Sequence, residues 1–319
     1  MDNPISFTQQ IKEELTNLPF NETKDRSVLS AFIRSSGSVV ISHNQTKLVL
    51  KTENNKVAKY IYVLLKTIFP MAELSFSYRC MMQFYKSTQY LININTNVED
   101  ILSSLKIDFL DSKIPYDLTD KELKIKGYLE GLFLYNGTCS NPKSSNYHLE
   151  MYTSDEAFTD AILKLIHKIK DLEFDFKTIK RRSNYIVYLK KSDQISDFLA
   201  YLEANDCCLL FENVRVNRDF ANVSNRLINM DTYNLKKTLK ISNEQIEDIK
   251  QIDKSLGLKN ISNEKLRELC YLRLENKDLT YKELAALLSK KLNKEVSKSN
   301  VNHLFIKIKD MAKGYRHEY

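Results

Sequence analysis

Leu29-Ser-Ala-Phe-Ile-Arg-Ser-Ser-Gly37 and Leu129-Glu-Gly-Leu-Phe-Leu-Tyr-Asn-Gly137 share one pattern. Each is an apolar helix carrying a small residue, Ala31 or Gly131, and each ends in a glycine. Each is followed by a turn and then by residues that alternate with period two: Lys47-Leu-Val-Leu-Lys-Thr52 in the first copy, Tyr147-His-Leu-Glu-Met-Tyr-Thr153 in the second. Alternation of this kind marks a strand with one buried face. A polar helix start follows both strands, Thr52-Glu-Asn-Asn55 and Thr153-Ser-Asp-Glu156, the latter spaced as a capping box. Working outward, helices are predicted over 57–69 and 157–170. Strand pairs follow at 74–78 with 90–94 and at 174–179 with 185–189, and closing helices at 98–105 and 195–202. The unit reads αββαββα and occurs twice, over 22–110 and 118–208, after an N-terminal helix in 1–21. An internal repeat of this length is the strongest organisational signal in the chain.

Beyond residue 208 the texture changes. Residues 209–240 are rich in Asn, Lys and Arg and read as a linker with some helix. From 241 to 319 the pattern is wholly helical. Ser242-Asn-Glu-Gln245 and Thr280-Tyr-Lys-Glu283 are capping boxes, Ser262 and Ser297 are helix starts, and Gly257 is a stop. The expected fold is therefore α+β: a two-repeat αββαββα domain followed by an all-α helix-turn-helix domain.

The chain has 319 residues, 43% hydrophobic and 28% charged, the composition of a globular protein with room for two or three domains. The net charge is +7. Residues 277–316 hold ten Lys/Arg against four Asp/Glu, so most of the excess lies at the C-terminal end. A concentrated basic region is the footprint expected for a polyanion, and it is equally the composition of a solvated helix face. Five scattered cysteines without a CxxC pair read as reduced thiols, and the polar N-terminus is not a signal peptide, so a cytoplasmic location is expected. The longest apolar run, Tyr60–Leu65, is far below the roughly 20 residues that span a bilayer, so no membrane partner is expected.

The last two helices carry the candidate interface. Leu284, Leu287 and Leu288 give one an apolar face, and Val301, Leu304, Phe305 and Ile308 give the other. The opposite face of the last helix presents Ser299, His303 and Lys307, with Asn300 and Asn302 on its flanks. Asn can bond adenine through two hydrogen bonds, and Lys reaches guanine or phosphate. Lys298 lies at the N-terminus of this helix, where a phosphate is favoured. Residues 289–296 read as a loop longer than a simple turn, in which Lys290, Lys291 and Lys294 would meet the DNA backbone. A three-helix protein-interaction module with a polar face is the other reading of the same residues. A second basic site lies in the hairpin 174–191, whose tip holds Lys180, Arg181 and Arg182; it too reads either as a DNA contact or as a solvated tip. No P-loop, dinucleotide fingerprint, GxSxG elbow, HExxH or other metal-ligand spacing occurs, so no cofactor or metal is expected. Carboxylate pairs such as Glu13-Glu14 read as a surface helix face.

The repeat resembles the LAGLIDADG homing-endonuclease fold, in which two such helices pack at a pseudo-two-fold axis and small residues let them approach closely. The whole chain is more similar still to the WhiA family of bacterial regulators. The stretches that carry this resemblance run in order along the sequence. They are Ser6-Phe7 with Lys12-Glu-Glu-Leu15, Tyr147-His-Leu-Glu150, Gln194-Ile-Ser-Asp-Phe-Leu199, Phe211-Glu-Asn-Val-Arg215, Asn225-Arg-Leu-Ile-Asn229 and Ser297-Lys-Ser-Asn-Val-Asn-His303. The resemblance implies a LAGLIDADG-like domain fused to a helix-turn-helix similar to the fourth region of sigma factors. It also implies double-stranded DNA as partner, transcription or division proteins as further partners, a nucleoid-associated place, and a role in transcription control, cell division or chromosome segregation. LAGLIDADG nucleases hold their metal on the acidic residue before each terminal glycine; those positions here are Ser36 and Asn136, which carry no charge. A non-catalytic regulator is the expected outcome, a protein-interaction scaffold the alternative, and a residual metal-dependent nuclease the distant one.

Overall fold

In the computed structural model, residues 5–42, 45–81 and 87–316 are described. The chain divides into two compact units, Met1–Arg218 and Asp219–Tyr319. In the first, α1 (Phe7–Leu15) precedes two copies of one motif. The first copy is α2 (Glu22–Ser36), β1 (Gly37–Ser42), β2 (Gln45–Thr52), α3 (Asn55–Ile68), β3 (Leu74–Met81), β4 (Ser87–Ile94) and α4 (Val98–Ser104). The second is α5 (Glu122–Asn136), β5 (Thr138–Cys139), β6 (Leu149–Thr153), α6 (Glu156–Ile166), β7 (Lys177–Arg181), β8 (Asn184–Leu189) and α7 (Ser192–Tyr201). The predicted αββαββα order is present twice. Each copy forms an antiparallel four-stranded sheet with the same strand order, β1-β2-β4-β3 and β5-β6-β8-β7.

The alternation read in the sequence sets the register of each sheet. Leu48 and Leu50 of β2 are buried opposite Ile94 and Ile92 of β4, while Leu149 and Met151 of β6 are buried opposite Leu189 and Val187 of β8. The helices α2 and α5 pack against each other at the centre of the core, burying Val28, Leu29, Phe32, Tyr128, Leu132 and Phe133. Gly127 and Gly131 mark the contact. A Cβ on Gly131 would lie 2.3 Å from the Val28 carbonyl oxygen, and one on Gly127 2.4 Å from that of Lys24. Sequence reasoning singled out Gly131 and left Gly127 unassigned.

Charge is buried in this contact. The Lys24 ammonium lies 2.9 Å from the Glu130 carboxylate, and Glu203 lies 3.9 Å from Lys24 and 2.7 Å from Lys126. Asp25, also buried, accepts from the Tyr60 hydroxyl at 3.1 Å and from the Asn21 amide at 2.8 Å.

Several helix starts differ from the sequence reading. Asp155, not Thr153, caps α6, its carboxylate accepting from the Ala157 amide at 3.0 Å, while Thr153 donates to the Asp155 carbonyl at 2.8 Å. Residues 209–240 are helical throughout. They belong to α8 (Asn205–Ser255), a helix of 51 residues, so Ser242 lies inside a helix rather than at its start. The pair Glu13-Glu14 is also more than a solvated face. The Glu14 carboxylate accepts from the Asp206 and Cys207 amides at 2.7 and 2.9 Å, capping the first turn of α8 from another helix. Glu14→Ala is expected to cost about 1–2 kcal/mol, the usual value of an N-cap with a charge on the helix dipole, measured by urea denaturation. No loss would mean that water replaces the carboxylate there at no cost.

Candidate nucleic-acid interface

The second unit is built on α8 and three further helices: α9 (Glu264–Glu275), α10 (Tyr281–Leu292) and α11 (Lys298–Arg316). Its core joins Ile249 and Ile252 of α8 to Leu269, Leu284, Leu288, Val301, Phe305 and Ile308. All four apolar residues assigned to the last helix are buried; of the three assigned to the preceding helix, Leu284 and Leu288 are buried and Leu287 is exposed. Tyr281 stacks on Phe305 with ring centroids 5.3 Å apart, and the Arg273 guanidinium lies 5.3 Å from the centroid of the Phe305 ring. Arg273 itself is buried and donates to the Leu279 carbonyl at 2.9 Å, so it fixes the chain between α9 and α10.

Thr280 and Glu283 form the predicted capping box at the start of α10. That helix runs on to Leu292, four residues beyond the expected end at Leu288. The turn to α11 is therefore only 293–297. Asn293 takes the left-handed conformation (φ 47°), and the Ser289 hydroxyl both donates to the Ala285 carbonyl and accepts from the Val296 amide at 2.9 Å. The long loop read from the sequence is corrected: Lys290 and Lys291 lie on the last turn of α10, and Lys294 alone of the three is in the turn. Lys291 is held 2.8 Å from Glu268 of α9. Ser297 caps α11 as predicted, accepting from the Asn300 amide at 3.2 Å.

Lys298, Ser299, Asn300, Asn302, His303 and Lys307 are all exposed, with Ser299, His303 and Lys307 on the side of α11 away from its buried residues. Lys290 and Lys294 are exposed beside them. Asn302 differs from the others in its surroundings. It lines a cleft of about 130 Å³ with Glu244, Asp248 and Lys309, so carboxylates stand on its flank. Ile306, which sequence reasoning did not single out, is about half exposed on the same face. The helix-turn-helix geometry comes from packing of the inner face, and it leaves the N-terminal turn of α11 exposed.

In the first unit, the hairpin tip is a tight turn with Arg182 left-handed (φ 57°) between β7 and β8. Lys180 lies 5.0 Å over the Tyr185 ring, Lys190 lies 5.1 Å over Tyr188, and Arg181 stands 3.9 Å from Glu150. All five residues of β7 are exposed. This exposed strand carries Lys177, Lys180 and Arg181, while Tyr185 and Tyr188, three residues apart on β8, lie on opposite faces of the sheet.

The helix ends at Ser36 and Asn136 are both buried. The Ser36 hydroxyl donates to the Phe32 carbonyl at 2.7 Å, and the Asn136 amide donates to the Tyr152 carbonyl. Beside Asn136 a cleft of about 570 Å³ is lined by Lys12, Lys51, Glu53, Gln89 and Tyr152. Lys12, from α1, donates to the Tyr135 carbonyl at 3.3 Å; burial pushes its ammonium down to about 8, against the opposing pull of Glu53. A hard divalent cation needs anionic oxygen ligands. Two neutral side chains already bonded to the backbone, one of them sharing a cleft with a lysine, do not fit one. Among the described residues no group of three or more His, Cys, Asp or Glu could hold a metal, and no helix is long and apolar enough to cross a membrane.

Three family descriptions match the chain in order: the WhiA N-terminal LAGLIDADG-like domain over residues 22–108, the WhiA LAGLIDADG-like domain over 125–221, and the WhiA C-terminal HTH domain over 224–312. A probable cell division protein WhiA of Lactobacillus gasseri is 38% identical over 318 residues, covering 98% of this chain and 99% of the relative. Another, of Bacillus thuringiensis, is 36% identical over 316 residues, covering 98% and 97%. The crystal structure of full-length DUF199/WhiA from Thermatoga maritima superposes with a TM-score of 0.60 at 24% identity, covering 97% of this chain and 98% of that one, which supports the fold. With all three domains matched in order, and full-length relatives well above 30% identity, this chain belongs to the WhiA family.

Proposed function

We propose that the chain is a non-catalytic, sequence-specific DNA-binding regulator that acts in cell division and chromosome segregation. The observation that carries this reading is the outer face of α11: Lys298, Ser299, Asn300, His303 and Lys307 exposed together on a helix whose other face is locked into a core. Residues in the first turn of such a helix meet base edges, and flanking lysines meet phosphates. Ser299, Asn300 and His303 read bases. Lys290, Lys294, Lys298 and Lys307 hold the backbone. Asn302 reads less, because Glu244 and Asp248 stand beside it. Lys180, Arg181 and Arg182 add backbone contacts from the hairpin.

Ser36 and Asn136 occupy the places where a related nuclease would carry its metal-binding acids, and their neutrality supports a regulator over an enzyme. The relatives named as probable cell division proteins support the cellular role. A protein-interaction scaffold is the second reading, favoured by Ile41, Phe76 and Tyr78, which are exposed on the first sheet.

The test is binding of the full chain to duplex DNA fragments across a salt series, with and without Mg²⁺. Salt-sensitive binding without cleavage is expected, since neutralised phosphates release counterions. Lys307→Ala is expected to weaken all sequences alike and to lower the salt slope by about 1, whereas Asn300→Ala is expected to erase about 1–3 kcal/mol of preference at one base position. Uniform loss for both would refute the base-reading assignment. Absence of DNA binding, with protein capture that survives high salt, would replace the regulator by the scaffold.

A further inference from the structure

The middle of α8 stands in water on every side. From Asp219 to Lys237 every residue is exposed except the half-buried Ser224. This stretch is also a poor helix former, with Asn222, Asn225, Asn229 and Asn234 among its residues. An isolated helix of this length and composition is marginal in water, and helices of proteins are held chiefly by packing of an apolar face. Such a face is present and uncovered. Phe220 is 75% exposed, and Val223, Leu227 and Met230 are each more than half exposed.

These residues are spaced 3, 4 and 3 apart. Along the sequence the same spacing extends back through Val216, Asn213 and Leu209 and forward to Asn234. With Phe220 at heptad position a, the a positions are Asn213, Phe220, Leu227 and Asn234. The d positions are Leu209, Val216, Val223 and Met230. The pattern holds for more than three heptads, the length at which it argues for a coiled coil. An apolar patch of this extent is the mark of an interaction surface.

We propose that this face of α8 pairs with the same face of a second copy of the chain, as a parallel two-stranded coiled coil. Two observations select that occupant. In a parallel, in-register pair each asparagine at a meets its own copy, Asn213 with Asn213 and Asn234 with Asn234, so both amides are satisfied. Asparagine at a is the device that fixes two strands in register. Antiparallel pairing would set Asn213 against Met230 and Asn234 against Leu209. The flanking charges agree. Arg226 at position g faces Asp231 at position e of the other copy, on both sides of the seam. The resulting two-fold axis puts two copies of α11 on one dimer, the symmetry that an inverted repeat in DNA presents to its reader.

The test is sedimentation of the full chain without DNA, from nanomolar to high micromolar. The wild type is expected to double in mass over this range. Val223→Glu with Leu227→Glu is expected to stay monomeric throughout. Both side chains are exposed, so the monomer fold survives, and circular dichroism checks this. Asn234→Cys in a Cys80→Ser background is expected to form a covalent dimer on oxidation, because a parallel seam brings the two copies of that position together. A wild type that stays monomeric overturns the proposal, as does a double variant that still dimerises. A dimer in which position 234 does not cross-link overturns the parallel register.

Discussion

At about pH 9, where Glu130 is ionised, Lys24→Met is expected to lower the stability of the first unit by about 3–5 kcal/mol, the usual consequence of removing one partner of a buried ion pair. Glu130 is fully buried between α2 and α5, and Lys24 is its nearest countercharge at 2.9 Å. Burial pushes the Glu130 carboxyl up to about 7; Lys24 draws it down, and Asp25 and Glu203 push it further up. A value raised above the ordinary 4.5 means that the protonated form is the one the fold favours. That contribution is complete below about pH 4.5 and is lost as the pH rises through about 7. Urea denaturation is therefore expected to show wild-type stability falling across this window, with a slope of at most about 1.4 kcal/mol per pH unit. Glu130→Gln, which keeps the shape and removes the titration, is expected to flatten that slope. Lys24→Met combined with Glu130→Leu is expected to recover most of the loss, because an apolar pair in such a site is often no worse than an ionic one. If Lys24→Met costs less than about 1 kcal/mol, water reaches Glu130 and the burial argument is wrong.

Gly131→Val is expected to be at least as damaging, at about 3 kcal/mol or more, the upper end of overpacking effects. A glycine inside a helix costs about 1 kcal/mol relative to alanine, so one is kept there only for space. The atom that a Cβ would strike is a backbone carbonyl of α2, with the Ala31 Cβ at 2.9 Å behind it, and neither can swing aside as a long side chain can. The helices would have to separate along their whole contact. The loss should appear as a lower urea midpoint and as exposure of the core to a hydrophobic dye. Ala31→Gly, which only opens space, is expected to cost far less. Near-wild-type stability of Gly131→Val would mean that the helix crossing is not held where it lies.

Ala31 and Gly131 show why the repeat was legible. A small residue in an apolar helix, a terminal glycine and an alternating strand each report a local constraint, and the three recur in the same order 100 residues later. Thr280 was legible for the same reason, since both halves of its capping box are local. The misreadings came where a distant group decides the structure. Glu14 looks like surface until Asp206 and Cys207 arrive beneath it. Gly127 has no local reason to be glycine; its reason is the Lys24 carbonyl. Residues 209–240 read as a linker because they are rich in Asn, Lys and Arg, although a heptad spacing runs through them from Leu209 to Asn234. The extra turn of α10 through Lys290 and Lys291 follows from the helix propensity of lysine and from Asn293, which accepts a left-handed backbone at the C-cap. At the interface the residue types and their common exposed side were readable, whereas the carboxylates beside Asn302 come from a helix more than 50 residues earlier.

The central contact between α2 and α5 also sets a timetable for the newborn chain. Ala31 and Gly131 lie 100 positions apart, so the first repeat cannot cover Val28, Leu29 and Phe32 until the second has been made. At about 5–20 residues per second, ribosomes need roughly 5–20 s to deliver the partner helix. For that interval a finished sheet and helix wait with their apolar side open, a client for any chaperone that stations itself at the exit tunnel.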